Sequence, residues 1–435
     1  MKKLMGILLA ASMVFSLAAC GSTADTAASS AAGTTATAEG SSNNQAPDVK
    51  VGAIILGDET EGYSAAHING IKEAAAELGM SDDQIVWKYK IAEGGGTADA
   101  AEDLVGQGCN LIISNSYGHQ DFMAQAAEEL EDATFVAVTG DFAAVSGIPN
   151  LKNAFTSVYE SRYVSGVVAG LKLKELTESG VLTTETQPES FDENGNVKIG
   201  YVGAFSYAEV VSGYTAFFLG VRSVMPNVVM EVNYTNSWFD IDKEGAAAEA
   251  LMANGCAMIS QHADSTGAPA AVQKKQDDGM IVYCVGYNVD MIPTAPTAAL
   301  TSAGNNWEAY YEYAFNCMLT GEEIKTDWSE GFAGNGVLIT PLNEEIVAEG
   351  TAEYVDNVIA SLKDGSLKVF DTDTFTVEGQ KVETAEVDFS YMDFSTMTAI
   401  YEGETKECIQ DGAFLESYYR SAPYFSLRID GITEK

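Results

Sequence analysis

The chain has 435 residues, with 63 acidic against 23 basic side chains and a formal charge of −40 at neutral pH. So acidic a surface repels phosphates, which excludes nucleic acid as a partner, and its spread along the chain suits solubility. The length exceeds what one ordinary core accommodates and calls for more than one.

In chain order, Lys2 and Lys3 precede an apolar run from Met5 to Leu17. The run is shorter than the roughly 20 residues a membrane-spanning helix needs, so it reads as a secretion signal over residues 1–19. Leu17-Ala18-Ala19-Cys20-Gly21 matches a bacterial lipobox. It predicts lipidation of Cys20 and an address on the extracytoplasmic face of the cell membrane, held there by the lipid. Residues 20–48 are rich in Ala, Ser, Thr and Gly, a composition that buries little and serves as a flexible tether. The other cysteines, Cys109, Cys256, Cys284, Cys317 and Cys408, are odd in number and form no CxxC pair, which argues against a disulfide framework.

Beyond the tether the sequence nearly repeats. Ala101–Ile112 can be laid over Ala248–Ile259: a helix end, a Gly at 108 or 255, then an apolar strand. Upstream, strands at Val51–Ile55 and Ile199–Gly203 each lead into a helix, from about Ala65 to Leu78 and from about Val210 to Val224. Downstream, Thr134–Thr139 and Met280–Val285 read as the next strands. Short, continuous apolar strands alternating with helices predict two doubly wound parallel-sheet lobes. The polar stretch Leu182–Asn196 reads as a surface loop.

In open α/β sheets, ligands sit beyond the carboxyl ends of the strands. In the first half those ends carry Asp58, Tyr63, Ser64, Tyr117 and Gly118, with Asn115, Ser116 and Asp141 nearby. In the second half they carry Tyr207, Trp238, Phe239, His262, Asp264, Asn288 and Asp290, with Glu209 and Tyr287 beside them. Aromatic faces combined with amides and carboxylates suit a flat heterocycle, stacked and read along its edge. A rival set is His119 and His262 with Asp141 or Asp264 around a metal, although neither histidine has the spacing of a metal-binding motif. No nucleophile elbow, P-loop or HExxH motif is present, so no catalytic site, cofactor or metal is assigned and the chain is read as a non-enzyme.

The motifs Gly203–Gly213, Gly220–Asn227, Asn236–Asp240, Gln261–Ser265 and Gly166-Val-Val-Ala-Gly170, together with Trp307 and Tyr310-Tyr311, resemble the basic membrane protein (BMP) family of substrate-binding lipoproteins. Arg420-Ser-Ala-Pro-Tyr-Phe425 looks like a terminal feature of one subgroup. The resemblance implies a monomer that captures a purine base or nucleoside and hands it to the membrane subunits of an ABC importer. The alternatives are a binding protein serving a signalling receptor and a metal-binding lipoprotein. It adds Trp307 to the ligand-binding residues. It also implies an Asp for ribose where Asn288 stands, which leans recognition toward a free base. The implied fold is type I periplasmic-binding-protein-like, with crossings between lobes near residues 160, 286 and 328. Lobe one is then 49–160 plus 286–328, and lobe two 161–285 plus 329–435.

Overall fold

The computed structural model describes residues 49–393 and 398–435. The signal, Cys20 and the tether lie outside these. The first half runs β1 (Val51–Ile54), α1 (Gly62–Glu77), β2 (Ile85–Lys88), α2 (Gly96–Gly106), β3 (Leu111–Ser114), α3 (Gln120–Glu129), β4 (Thr134–Val138), α4 (Ala143–Ser146) and β5 (Leu151–Ala154). The second runs α5 (Val158–Glu178), β6 (Val197–Gly203), α6 (Ala208–Val224), β7 (Val228–Tyr234), α7 (Ile241–Ala253), β8 (Met258–Gln261), α8 (Gly267–Asp277), β9 (Tyr283–Tyr287) and β10 (Ala299–Asn305). Then come α9 (Trp307–Thr320), β11 (Asp327–Trp328), β12 (Val337–Ile339) and α10 (Thr351–Lys363). Beyond α10 lie short antiparallel pairs: β13 (Glu386–Asp388) with β16 (Thr405–Glu407), β14 (Tyr391–Asp393) with β15 (Thr398–Tyr401), and β17 (Ile409–Gln410) with β18 (Ala413–Phe414). A further strand, β19 (Ile432–Glu434), returns to the second sheet.

Two sheets result. One has the order β11-β5-β4-β3-β1-β2, the other β12-β10-β9-β8-β6-β7-β19. All neighbours are parallel except β12 on β10. The repeat seen in the sequence is thus a repeat of topology, since β1 pairs β2 and β3 as β6 pairs β7 and β8. The central strands β1 and β3 are buried at every position, which explains their unbroken apolar sequence. Gly108 and Gly255 follow helices α2 and α7 with φ of 88° and 96°. At Gly255 a side chain would also strike the Glu189 carbonyl.

The chain crosses between lobes at 155–157, at 306 and over 329–336. The middle crossing falls after β10, which pairs with β9 in the second sheet, not near 286 as the sequence suggested. Residues 286–305 therefore belong to lobe two, and lobe one regains the chain only from α9, which packs on α1. The three crossings are bonded side by side: Phe155 N donates to Trp328 O, Ser157 N to Glu330 O and Asn306 N to Gly336 O. The stretch Leu182–Asn196 is more than a surface loop. Gln187 exchanges hydrogen bonds with the backbone of Ile281, and Ser190 Oγ donates to Gly255 O.

Lobe two is built around the close crossing of α5 and α6. A Cβ on Gly166 would lie 2.1 Å from Phe217 O, and one on Gly220 would lie 2.1 Å from Tyr163 O. The helices approach so closely only because both positions lack side chains. Gly166→Ala should lower stability by about 1–3 kcal/mol in urea unfolding, the usual cost of overpacking. Gly106→Ala, in a helix with open space around it, should be neutral or stabilising.

Candidate functional site

The carboxyl ends of the two sheets face one another across a cavity of about 300 Å³. Lobe one contributes Leu56, Tyr63, Asn115, Ser116, Tyr117, Thr139, Asp141 and Phe155; lobe two contributes Ser206, Tyr207, Ala208, Glu209, Trp238, His262, Asp264 and Tyr287. Arg420, Ala422 and Pro423 complete the wall. The lobes touch beside the cavity, where a Cβ on Gly62, at the start of α1, would be 3.1 Å from Asp264 O.

The walls are largely aromatic. Tyr207 stacks on Phe205 at 5.1 Å, and Phe205 meets Trp238 edge-on at 4.9 Å. Tyr117 faces Tyr207 from the other lobe, with ring centres 6.5 Å apart. Burial pushes the Tyr117 phenol well above its ordinary range, with the neighbouring Asp141 adding to the effect. Its loop is fixed by Glu93, whose carboxylate accepts from Ser116 Oγ and Gly118 N at 2.6 and 3.0 Å. A side chain at position 118 would collide with that carboxylate.

Asp264 is a buried carboxyl in this wall. Its Oδ1 accepts from Asn288 Nδ2 at 2.7 Å. Asn288 Oδ1 in turn accepts from Asn305 Nδ2 at 3.1 Å, and Asn305 Oδ1 from Thr156 Oγ1 at 2.5 Å. This polar chain runs from the cavity to the crossing segments at 156 and 305. Burial raises the Asp264 carboxyl well above the usual carboxylate range, and Glu61, Glu244 and Glu209 push the same way. Arg162, whose guanidinium lies 3.6 Å from the Tyr287 ring centre, opposes them. His262 Nε2 donates to Glu209 at 2.7 Å, which leaves Nδ1 to accept from Tyr201 OH at 3.2 Å. Burial holds His262 below its ordinary range, so the ring is neutral near pH 7.

Of the residues singled out from sequence, Tyr63, Tyr117, Tyr207, Trp238, His262 and Asp264 line the cavity. The others do not. Asn288 stands one shell back and orients Asp264; its φ of 62° is a left-handed conformation that Asn tolerates well. Asp290 is exposed and accepts from Ile292 N in a turn. Trp307 is buried in the lobe-one core against His67, at 4.4 Å. Ser64 accepts from Gly57 N, Asp58 pairs with Lys90, Gly118 serves its own loop, and Phe239 points outward, 44% exposed. His119 is bonded to Ile91 O, away from His262. Among the described residues no group of three or more His, Cys, Asp and Glu side chains is placed to hold a metal. Of the cavity residues outside that set, the strand-end pattern offers Asp141 only as a rival metal ligand and gives Glu209 and Tyr287 no role. Arg420 had been noticed only as part of a terminal motif.

Two doubly wound lobes around a ligand-sized cleft define a solute-binding protein of the type I periplasmic class. The chain spans 98% and 93% of two solved solute-binding proteins, from Conexibacter woesei and Aeropyrum pernix, at TM-scores of 0.57 and 0.58. They cover 74% of this chain at 19% and 13% identity, so they speak for the fold alone. The chain belongs to the Bmp family, the PnrA-like ABC transporter substrate-binding proteins, whose model matches residues 57–363. Similar relatives include a purine-binding protein of Brucella abortus, 29% identical over 74% of this chain and 83% of its own length. Another is a putative ABC transporter glucose-binding protein of Haloferax volcanii, 28% identical over 74% of each chain.

The Asp264–Asn288 bond predicts two opposite pH responses. A carboxyl whose pKa is raised by folding costs nothing below its unfolded value and destabilises progressively as pH rises through the folded one. Asn288→Asp would set a second carboxyl against Asp264, so its melting temperature should fall below wild type by more at pH 8 than at pH 5. Asp264→Asn keeps an acceptor for Asn288 and removes the charge; it should melt above wild type, with the gain larger at pH 8. Thermal scans at the two pH values check both.

Proposed function

We propose that the protein captures a purine base or nucleoside between its lobes and delivers it, without chemistry, to the membrane subunits of an ABC importer. The observation that carries the reading is the cleft's composition: flat aromatic walls from Tyr63, Tyr117, Tyr207 and Trp238, with Asp264 among them to accept from a ring N–H. The purine-binding relative from Brucella abortus supports the same class. Three carboxylates in the lining, Asp141, Glu209 and Asp264, disfavour a phosphorylated ligand. With Asn288 bonded to Asp264, the residue that would hold ribose is occupied, which favours the free base. The protein would work as a lipid-anchored monomer on the extracytoplasmic face, tethered through Cys20.

A thermal-shift panel of bases, nucleosides, sugars and amino acids tests the ligand class. A ligand at 100 times its dissociation constant should stabilise by about 2.7 kcal/mol. Trp238→Ala should weaken purine binding at least about tenfold, or ~1.4 kcal/mol, with circular dichroism unchanged. A response confined to sugars would overturn the reading. Cys20→Ser should abolish fatty-acid labelling and release the protein from the membrane fraction; continued labelling would refute the anchor.

A further inference from the structure

The family match ends at residue 363, yet the segment beyond it builds part of the cleft wall. Phe370, Phe375, Phe389, Phe414, Tyr424 and Phe425 pack into the lobe-two core, with Phe425 stacked on Phe370 at 4.3 Å. The loop that carries Arg420 is closed at its base by Glu416, whose two carboxylate oxygens accept from Tyr424 N and Phe425 N at 2.5 and 2.7 Å. From this base the loop reaches lobe one. Ser421 donates through N and Oγ to the two oxygens of Asp327, at 2.6 and 2.5 Å. Arg420 Nη1 pairs with Asp141 Oδ2 at 2.9 Å, and Nε donates to Ala422 O at 3.3 Å.

Arg420 is the one cation among the described residues that line the cavity. Its guanidinium is fixed in place, with the side chain 15% exposed. Its Nη2 takes part in neither contact. With Nη1 and Nε engaged, Nη2 is the donor such a guanidinium can offer a ligand, and its complement is an acceptor. The carbonyl oxygen of a 6-oxopurine is such an acceptor, one of those an Arg reads on guanine in DNA. A 6-aminopurine puts an N–H donor in place of the carbonyl and meets that donor with a donor. The asymmetry lies in the protein: the C-terminal segment supplies a donor, while Asp264 supplies an acceptor for a ring N–H on the same ligand.

We propose that Arg420 is a ligand-recognising residue, added to the family's cleft by the C-terminal segment, and that it selects 6-oxopurines over 6-aminopurines. The inference rests on the purine reading above. It is tested by calorimetric titration of hypoxanthine, guanine and adenine into wild type, Arg420→Ala and Arg420→Lys. Wild type should favour hypoxanthine over adenine by about tenfold, or ~1.4 kcal/mol. Arg420→Ala should bring that ratio close to one, chiefly by weakening hypoxanthine, and Arg420→Lys should retain part of it. All three bases are titrated into one preparation, so a partly unfolded variant lowers the stoichiometry and leaves the ratio intact. Purine binding in which wild type favours adenine, or in which Arg420→Ala leaves the ratio unchanged, overturns the role of Arg420 alone. No binding of any purine by wild type overturns the purine reading and this selectivity together.

Discussion

A carboxylate in an aromatic wall must have its neighbours arranged around it, and the hydrogen bond from Asn288 to Asp264 is where that arrangement begins. Burial, and three further carboxylates pressing on Asp264, would favour its turning away or protonating. The amide of Asn288 holds one oxygen, Asn305 holds Asn288, and Thr156 holds Asn305. Because Thr156 and Asn305 sit where the chain passes between lobes, the geometry of the cleft carboxylate is tied to the geometry of the crossings. A change in lobe angle would act on the bond network that presents Asp264. A ligand that bonds Asp264 therefore acts on the same network from its other end.

The two lobes contribute unequally to the cleft. Lobe two brings Asp264, Glu209 and His262, with His262 held between Glu209 and Tyr201. Lobe one brings mostly surfaces, in Tyr63, Tyr117 and Phe155, with Asp141 as its charged group. The C-terminal segment belongs to lobe two by its packing and reaches lobe one through Arg420, Ser421 and Tyr391, whose ring stacks on Phe142 at 4.5 Å. Of the ion pairs among the described residues, Arg420–Asp141 is the one that joins this segment to the first lobe.

Parallel strands explain how much of this was legible in the sequence. Their apolar runs end abruptly, and the residues directly after each run must lie at one edge of a sheet; this is why Tyr117, Tyr207, Trp238, His262 and Asp264 were recognised as cleft residues. The inner sides of the loops were not legible. Asp290 and Asn288 are two residues apart, yet one is exposed and the other buried, because a left-handed turn at 288 swings the chain outward. Trp307 lies after a strand end too, but the chain has just changed lobes and His67 takes its face. Arg420 was hidden by distance: nothing local indicates that a segment packed on lobe two returns over the cleft. The misplaced second crossing has a similar origin. β10 reads as well for either lobe, and only its pairing with β9 decides.

Strand β19 bears on how the molecule is made. It comprises Ile432–Glu434 and lies in parallel register on β7, while Lys435 pairs with Glu231 of that strand. Tyr214 and Tyr234 both donate to Glu434. One edge of β7 is thus covered by residues that leave the ribosome roughly two hundred positions after the strand they protect. Until residues 432–435 have been made, that edge remains an open hydrogen-bonding template and lobe two cannot reach its final form. Removal of residues 432–435 would leave the same edge open in the folded protein.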